Sequence, residues 1–204
     1  RGKDEGGMAA TGQSDSEERV AEVRRRLAAT PGLTEEEAAL LQEEHLTDRT
    51  IKRNLRGHRG DARKAATNIV DTLRWQMSYR PEEVTAAEVE PSLRRGLFYV
   101  SPGRDRGNRP VLVSIKSRDP PEDCEMDARM VVYMLEKAVR VMDAPPEPNP
   151  DEWVWIMDMS SYSSASSPPW SITYKLAMIL NTHYNERLRA CIILNAPFVF
   201  RTLW

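Results

Sequence analysis

Basic residues are concentrated in one short part of the chain. Residues 49–64 hold seven arginines and lysines against one acid, Asp61. The basic ones are Arg49, Lys52, Arg53, Arg56, Arg59, Arg63 and Lys64. Cationic side chains at this density attract phosphates, and each contributes about 1 kcal/mol near an anionic bilayer. A helix face that is merely solvated is the other interpretation of the run, and the residues alone leave both open.

A second candidate is the pair Glu186-Arg187, which follows a predicted helix. The planar guanidinium fork of arginine matches phosphate, and a glutamate accepts hydrogen bonds from polyol hydroxyls. A salt bridge within the protein at the helix end explains the same pair equally well.

The residues do not favour catalysis. His183, Asp158 and the serines of segment 160–167 contain the residue types of a hydrolase triad, but no Gly-x-Ser-x-Gly elbow is present. His45, His58 and His183 lack the paired spacing of a metal site, and no glycine-rich phosphate loop occurs. We therefore expect no enzymatic activity, no bound metal and no cofactor.

The composition restricts the remaining classes of protein. The chain has 204 residues, 40% of them hydrophobic, and a net charge of −2, so no global basic charge indicates nucleic acid. No stretch reaches the roughly 20 apolar residues that span a bilayer, and the N-terminus lacks the apolar core of a signal peptide. Cys124 and Cys191 are isolated, which fits a reducing compartment and indicates neither a disulfide framework nor a zinc site.

The first part of the chain predicts helices. Residues 1–18 are rich in Gly, Ser, Asp and Glu, which predicts a disordered tail, with a short helix near residues 20–29. Thr34 and Glu37 have the spacing of a capping box, which predicts a helix start. A helix over residues 49–56 and a longer one capped by Asp61 follow. The longer helix has one predicted buried face: Ala62, Ala66, Ile69, Leu73 and Met77.

After Pro91 short strands alternate with helices. Residues 97–100 and 111–115 predict a hairpin. Further along the chain we predict a largely buried helix over 126–142, a strand over 153–157, a helix over 169–184 and a strand over 190–194. This alternation predicts an α/β fold with a mainly parallel sheet and crossover helices.

Several segments resemble one known family. Residues 183–188 and 192–198 (HYNERL and IILNAPF here) resemble the YPERL…INAP segment of CRAL-TRIO domains, the SEC-fourteen-like lipid-binding and lipid-transfer proteins. Residues 51–61 resemble the LRFLRARKFD pattern, residues 105–111 the DKEGRPV turn, and residues 155–159 the strand that ends in Asp. The four matches occur in the family's order, and together they cover roughly residues 33–204.

The resemblance implies an architecture. It implies a CRAL-TRIO N-terminal helical lobe over residues 33–81, followed by a CRAL-TRIO lipid-binding lobe over residues 90–204 whose mainly parallel sheet is flanked by helices. The family's domain continues with a gating helix and a lysine that contacts inositol phosphate. We therefore expect the second lobe to be incomplete, and both ends of the sequence look like the limits of a fragment.

The resemblance also implies a function: non-catalytic binding and intermembrane transfer of one lipid, with phosphatidylinositol as the expected ligand. It implies head-group contacts from Arg59, His58, Asp105, Glu186 and Arg187. The acyl pocket is expected to be lined by Met130, Met134, Trp153 and Trp155. We expect a cytoplasmic monomer that contacts anionic membranes transiently at their periphery, with no cofactor besides the bound lipid.

Departures from the family pattern keep alternatives open. Asn185 stands where the family has Pro, and Ser160-Ser161 replace a glycine-bearing pair. Trp153 and Trp155 stand where phosphatidylcholine-binding members carry small hydroxyl residues, which favours a ring-bearing ligand such as a tocopherol or retinoid. A regulatory protein-interaction module with a non-functional pocket is the alternative from another class, and a hydrolase is a third. For Asp105 a turn role is the preferred interpretation.

Overall fold

The computed structural model describes residues 5–116, 122–144, 151–163 and 167–197. The chain divides into two compact units, residues 1–79 and 80–204, and each has its own buried residues. The proline-rich residues 145–150 and the middle of the serine segment, residues 164–166, lie outside the described residues.

The first unit is helical. It contains α1 (Glu5–Ala28), α2 (Glu35–Leu40), a π-helical turn (Leu41–His45), α3 (Asp48–Gly57) and α4 (Ala62–Tyr79). The predicted capping box is confirmed, because the Thr34 hydroxyl accepts from the Glu37 amide while the Glu37 carboxylate accepts from the Thr34 amide. Asp61 caps α4 through the amide of Lys64, as predicted. The helix ends at Tyr79, two residues before Pro81, a residue that disfavours helix at the position preceding it.

The helical core of this unit lies between α1, α3 and α4. Val23, Leu27, Ile51, Ile69 and Leu73 are each at most 1% exposed. The predicted apolar face of α4 is confirmed, since its middle residues are buried and its outer members pack against the same cluster. Burial on this scale stabilises the unit by about 1.5–3 kcal/mol for each large side chain.

The structure differs from the sequence-based expectation at the N-terminal end of the first unit. One helix spans Glu5–Ala28, where the sequence predicts a disordered tail over residues 1–18 and a short helix near 20–29. Its second half is anchored, because Val20, Val23 and Leu27 recur at helical spacing and are buried in the core. Propagation from this anchor extends the helix into its polar first half, where Ala9, Ala10 and Gln13 favour helix and the three glycines each cost about 1 kcal/mol. The first unit includes this helix, whereas the resemblance implies a helical lobe over residues 33–81.

The second unit is α/β, as predicted. Its elements are a 3₁₀ turn (Pro81–Glu83), α5 (Glu90–Arg94), β1 (Phe98–Arg104), β2 (Pro110–Ile115), α6 (Cys124–Asp143), β3 (Trp153–Asp158), α7 (Trp170–His183) and β4 (Leu188–Leu194). The strands form one sheet in the order β1-β2-β3-β4. The hairpin of β1 and β2 is antiparallel, and β2–β3 and β3–β4 are parallel. The predicted parallel pairing of the last two strands is confirmed.

The register decides which side chains share a face. Leu112, Trp155 and Cys191 are Cα partners across β2, β3 and β4, so they lie on one face of the sheet. The inner strands contribute to the core, with Leu112 and Trp153 fully inaccessible. Strand β4 differs, because every residue except Ile193 is exposed.

Candidate functional site

An apolar cavity lies between the sheet and helices α6 and α7 of the second unit. Its volume is about 190 Å³. Phe98 and Trp155 form the sheet side, with rings stacked 5.0 Å apart. Met130 of α6 and Leu176 of α7 contribute further walls. The cavity is smaller than the 300–1,000 Å³ typical of sites for drug-sized ligands, so a two-chain lipid needs more room than the described residues enclose.

Polar groups gather on one part of the cavity wall. Asp127 accepts a hydrogen bond from the Ser92 hydroxyl at 2.5 Å and pairs with the Arg95 guanidinium at 2.8 Å. Lys116 follows β2 and lines the same cavity. Burial lowers the pKa of the Lys116 ammonium, and the Asp127 carboxylate opposes that shift. Apolar walls with a partly compensated cation suit an amphiphile that carries an anionic group.

No local pattern in the sequence predicts that these polar residues come together. Arg95, Lys116 and Asp127 come from the end of α5, the end of β2 and the first turn of α6. They are brought together only by the packing of α6 on the sheet, and no local spacing signals this. A basic residue directly after a buried strand, such as Lys116, was the one available hint.

Of the four predicted pocket residues, two line the cavity and two lie elsewhere. Met130 and Trp155 line the cavity, and the Trp155 indole N–H donates to the Ser114 hydroxyl at 2.8 Å. Met134 and Trp153 do not line it. Trp153 is fully buried with its ring 5.9 Å from that of Tyr184, and Met134 is 5% exposed. Trp153 and Met134 are buried outside this cavity, and their place at an acyl pocket stays a prediction.

Asp105 serves the turn between β1 and β2. Its carboxylate accepts from the amides of Gly107 and Arg109 and pairs with the Arg109 guanidinium at 3.2 Å. Burial raises the pKa of Asp105, but the hydrogen bonds from Arg109 and Gly107 lower it by more, so the pKa lies below its usual value. The preferred turn interpretation of Asp105 thus agrees with the structure.

Arg187 lies at the same end of the sheet and is also paired. Its Nη1 atom is 2.9 Å from the Asp151 carboxylate, and both side chains are 14% exposed. Glu186 has a φ of +57°, the left-handed region, in the turn that reverses the chain between α7 and β4. The structure brings Asp105, Glu186 and Arg187 to one end of the sheet. Asp105 and Glu186 lie in turns there, and Arg187 forms a salt bridge with Asp151. The salt bridge foreseen for Arg187 is present.

The buried link between α6 and α7 lies next to this turn. The Tyr184 hydroxyl donates to the Glu136 carboxylate at 2.5 Å. Burial raises the pKa of Glu136, while Tyr184, Arg187 and Arg140 oppose the rise. This contact fixes the end of α7 against the middle of α6, and so positions the chain that enters β4.

His58 and Arg59 belong to the first unit, in the turn between α3 and α4. Arg59 is exposed and has a φ of +54°, and Gly60 follows at +82°. His58 lines an open groove of about 370 Å³ together with Arg63, Lys64 and residues further along α4. Its Nε2 atom is buried and makes no hydrogen bond within the described part of the chain.

The structure does not bring Asp158 and His183 together, as a hydrolase triad with these two residues would require. Asp158 ends β3 at the carboxyl edge of the sheet, where it accepts from the Asn195 side chain at 3.0 Å and from the Ser160 amide. His183 ends the helix that leads into the start of β4, at the opposite edge. Burial lowers the pKa of His183 to about 4. In the described segments no group of three or more His, Cys, Asp or Glu side chains is arranged to hold a metal.

None of the helices within the described residues is both long enough and apolar enough to cross a bilayer.

The family model of the CRAL/TRIO domain matches residues 94–204. A CRAL-TRIO domain-containing protein of Schizosaccharomyces pombe is 28% identical over 153 residues, which is 75% of this chain and 15% of that protein. The phosphatidylinositol transfer protein PDR17 of Saccharomyces cerevisiae is 27% identical over 159 residues, 72% of this chain and 44% of that protein.

One solved structure supports the fold. The crystal structure of Sfh5 matches with a TM-score of 0.64 and 17% identity, over 93% of this chain and 74% of that one. At this identity the likeness concerns the fold alone. The chain spans less than half the length of the two curated relatives.

Proposed function

Because the chain belongs to the CRAL/TRIO domain family, we propose that it binds one molecule of phosphatidylinositol and carries it between membranes without chemical change. The observation that carries this proposal is the cavity between the sheet and helices α6 and α7. Hiding an acyl chain from water stabilises the complex by about 0.8 kcal/mol for each methylene, and the apolar walls provide that environment. The relative PDR17, named as a phosphatidylinositol transfer protein, supports the choice of lipid.

The head group requires a cationic contact, and the exposed Arg59 is our first candidate. Replacing Arg59 with alanine removes a charge-assisted hydrogen bond, worth about 1.5–3 kcal/mol. Phosphatidylinositol transfer by the full-length protein should then fall about ten- to a hundredfold, with little change in thermal stability. Arg187→Ala is a less selective test, since it also leaves the mostly buried Asp151 carboxylate without its partner.

Native mass spectrometry of the full-length protein purified from cells tests the cavity. Leu176→Phe should narrow the cavity and lower the lipid-bound fraction severalfold. Leu180→Phe is the matched control, because Leu180 lies one turn further along α7, is partly buried like Leu176 and is outside the cavity lining. A wild-type protein without bound phospholipid would overturn the proposal.

A ring-bearing lipid is the second candidate ligand. The stacked pair Phe98–Trp155 favours it, since two aromatic faces line the cavity where a ring can pack. The same spectrum decides, because a tocopherol or retinoid differs from a phospholipid in mass.

A further inference from the structure

The turn that carries Arg59 is covered by a side chain from another helix. Arg19 of α1 lies against Gly60, so closely that a Cβ atom placed on Gly60 would be 1.9 Å from Arg19 Nη1 and 3.2 Å from its Cζ. The guanidinium therefore occupies the space that any other residue at position 60 would fill. Gly60 also has a φ of +82°, and its amide donates to the Leu55 carbonyl at 2.7 Å, so the turn is fixed as well as covered.

The guanidinium of Arg19 is oriented by a carboxylate one helical turn away. Asp15 accepts from Nε at 3.1 Å and from Nη2 at 2.9 Å, a side-on bidentate pair. This leaves Nη1 as the nitrogen that faces the turn. The Arg19 side chain is 45% exposed, so an anion from solvent can reach it.

The turn itself offers further positive charge and an unsatisfied polar atom. Arg59 is exposed directly before Gly60, and the buried Nε2 of His58 has no partner within the described residues. Arg63 and Lys64 line the groove that begins at His58. Lys64 is 3.9 Å from Asp61, which compensates only part of this charge.

We propose that Arg19 is a further head-group residue, which holds the phosphate of an anionic lipid against the turn together with Arg59, and that Asp15 is its internal counter-ion. This inference rests on the proposed function, because it assigns an additional residue to the same cationic contact. Two guanidiniums around one turn provide the planar, multidentate donors that phosphate oxygens prefer over a point charge.

The roles of Asp15 and Arg19 predict effects of opposite sign. Arg19→Ala should weaken binding to vesicles that contain phosphatidylinositol about fivefold, the loss expected for one basic residue near an anionic surface. Asp15→Asn should strengthen it about twofold, since it removes a competing negative charge. A purely structural ion pair within α1 predicts no gain for Asp15→Asn, because removing either partner would then only loosen the helix.

Two glycines supply a matched pair of variants. Gly60→Ala should displace the guanidinium and weaken vesicle binding as much as Arg19→Ala does. Gly32→Ala is the control, because Gly32 also has a positive φ, +73°, but a Cβ there would meet nothing within 4 Å. The backbone strain is therefore similar in the two variants, and only one of them moves Arg19.

The experiment measures the full-length protein on vesicles of phosphatidylcholine with and without phosphatidylinositol, with circular dichroism as the check on folding. Inorganic phosphate and soluble inositol phosphate, added as competitors, distinguish a lipid site from one that any phosphate fills. If wild type shows no preference for phosphatidylinositol vesicles, the proposed function fails. If Arg59→Ala weakens binding while Arg19→Ala and Asp15→Asn leave it unchanged, only the role of Arg19 is overturned.

Discussion

Helices α6 and α7 lie on the same side of the sheet, yet they bury their apolar residues to very different extents. Leu135, Ala138 and Met142 of α6 are fully inaccessible. On α7, Trp170 is 78% exposed and Tyr174 is 56% exposed, and Met178 continues this stripe at four-residue spacing. Apolar content alone therefore does not show which crossover helix is covered. The exposed apolar stripe of α7, formed by Trp170, Tyr174 and Met178, suits contact with a hydrophobic partner, whereas the apolar residues of α6 pack in the core.

Breaking the α6 core should have the largest effect. Leu135→Ala removes a fully buried side chain and should lower the free energy of unfolding of the second unit by about 2–5 kcal/mol. Urea denaturation followed by tryptophan fluorescence measures the change. A loss below about 1 kcal/mol would show that α6 is less tightly packed than the structure indicates.

Removing the hydrogen bond that links Tyr184 at the end of α7 to Glu136 of α6 should have the second-largest effect on stability. Tyr184→Phe leaves the buried Glu136 carboxylate without its donor and should cost about 1–3 kcal/mol near neutral pH. Burial raises the pKa of Glu136 above that of an ordinary glutamate, so stability falls as the pH rises through the folded value, and loss of the Tyr184 hydroxyl increases that fall. The cost of Tyr184→Phe should therefore shrink at a pH well below the pKa of an ordinary glutamate, where Glu136 is protonated in the folded and unfolded states. The free energies of unfolding of wild type and Tyr184→Phe are measured near neutral pH and at a pH below that value. An equal cost of the substitution at both pH values would contradict a hydrogen bond from Tyr184 to an ionisable Glu136.

Removing the N-terminal cap of α6 should have a smaller effect on stability. Asp123 caps α6 by accepting from the amides of Glu125 and Met126, whereas α7 begins after Pro169 without a side-chain cap. Asp123→Ala should destabilise the second unit by about 1 kcal/mol, and Asp123→Ser should restore most of the loss. Thermal unfolding monitored by circular dichroism is a suitable measurement.

The smallest effect should come from the exposed stripe of α7. Met178 is 45% exposed, and Met178→Ala should change the free energy of unfolding by no more than about 0.5 kcal/mol. The same urea experiment as for Leu135→Ala measures it, so the two helices are compared directly. A loss of about 2 kcal/mol would mean that the stripe is covered in the folded protein.

Local signals were sufficient to predict most elements. The capping box at Thr34 and Glu37, the apolar face of α4 and the strand before Asp158 each depend on residues within one segment, and each is confirmed. The mainly parallel sheet followed from the alternation of strands with helices. The structure differs from the predicted tail at α1 because the buried half of that helix anchors it in the core, while the prediction depended on the polar half.

The site was less predictable because it depends on contacts between distant segments. Trp153 is buried beside Tyr184 and Trp155 lies at the cavity, although their two-residue spacing gives no sign of this difference. Lys116 meets Asp127 only through packing of α6, and Arg19 meets Gly60 only because α1 packs near the end of α3. No spacing within the sequence contains that information.

The exposure of β4 affects how the protein behaves in concentrated solution. Within the described residues, the strand LRACIIL is one of the two edges of the sheet, and both of its faces are accessible over most of its length. An uncovered, largely apolar edge strand is a template for pairing with strands of other molecules, which leads to aggregation. Arg189 is its one charged residue and the main barrier to such pairing. We expect Arg189→Val to increase light scattering at high protein concentration, and a second charge at Ile192 to suppress it.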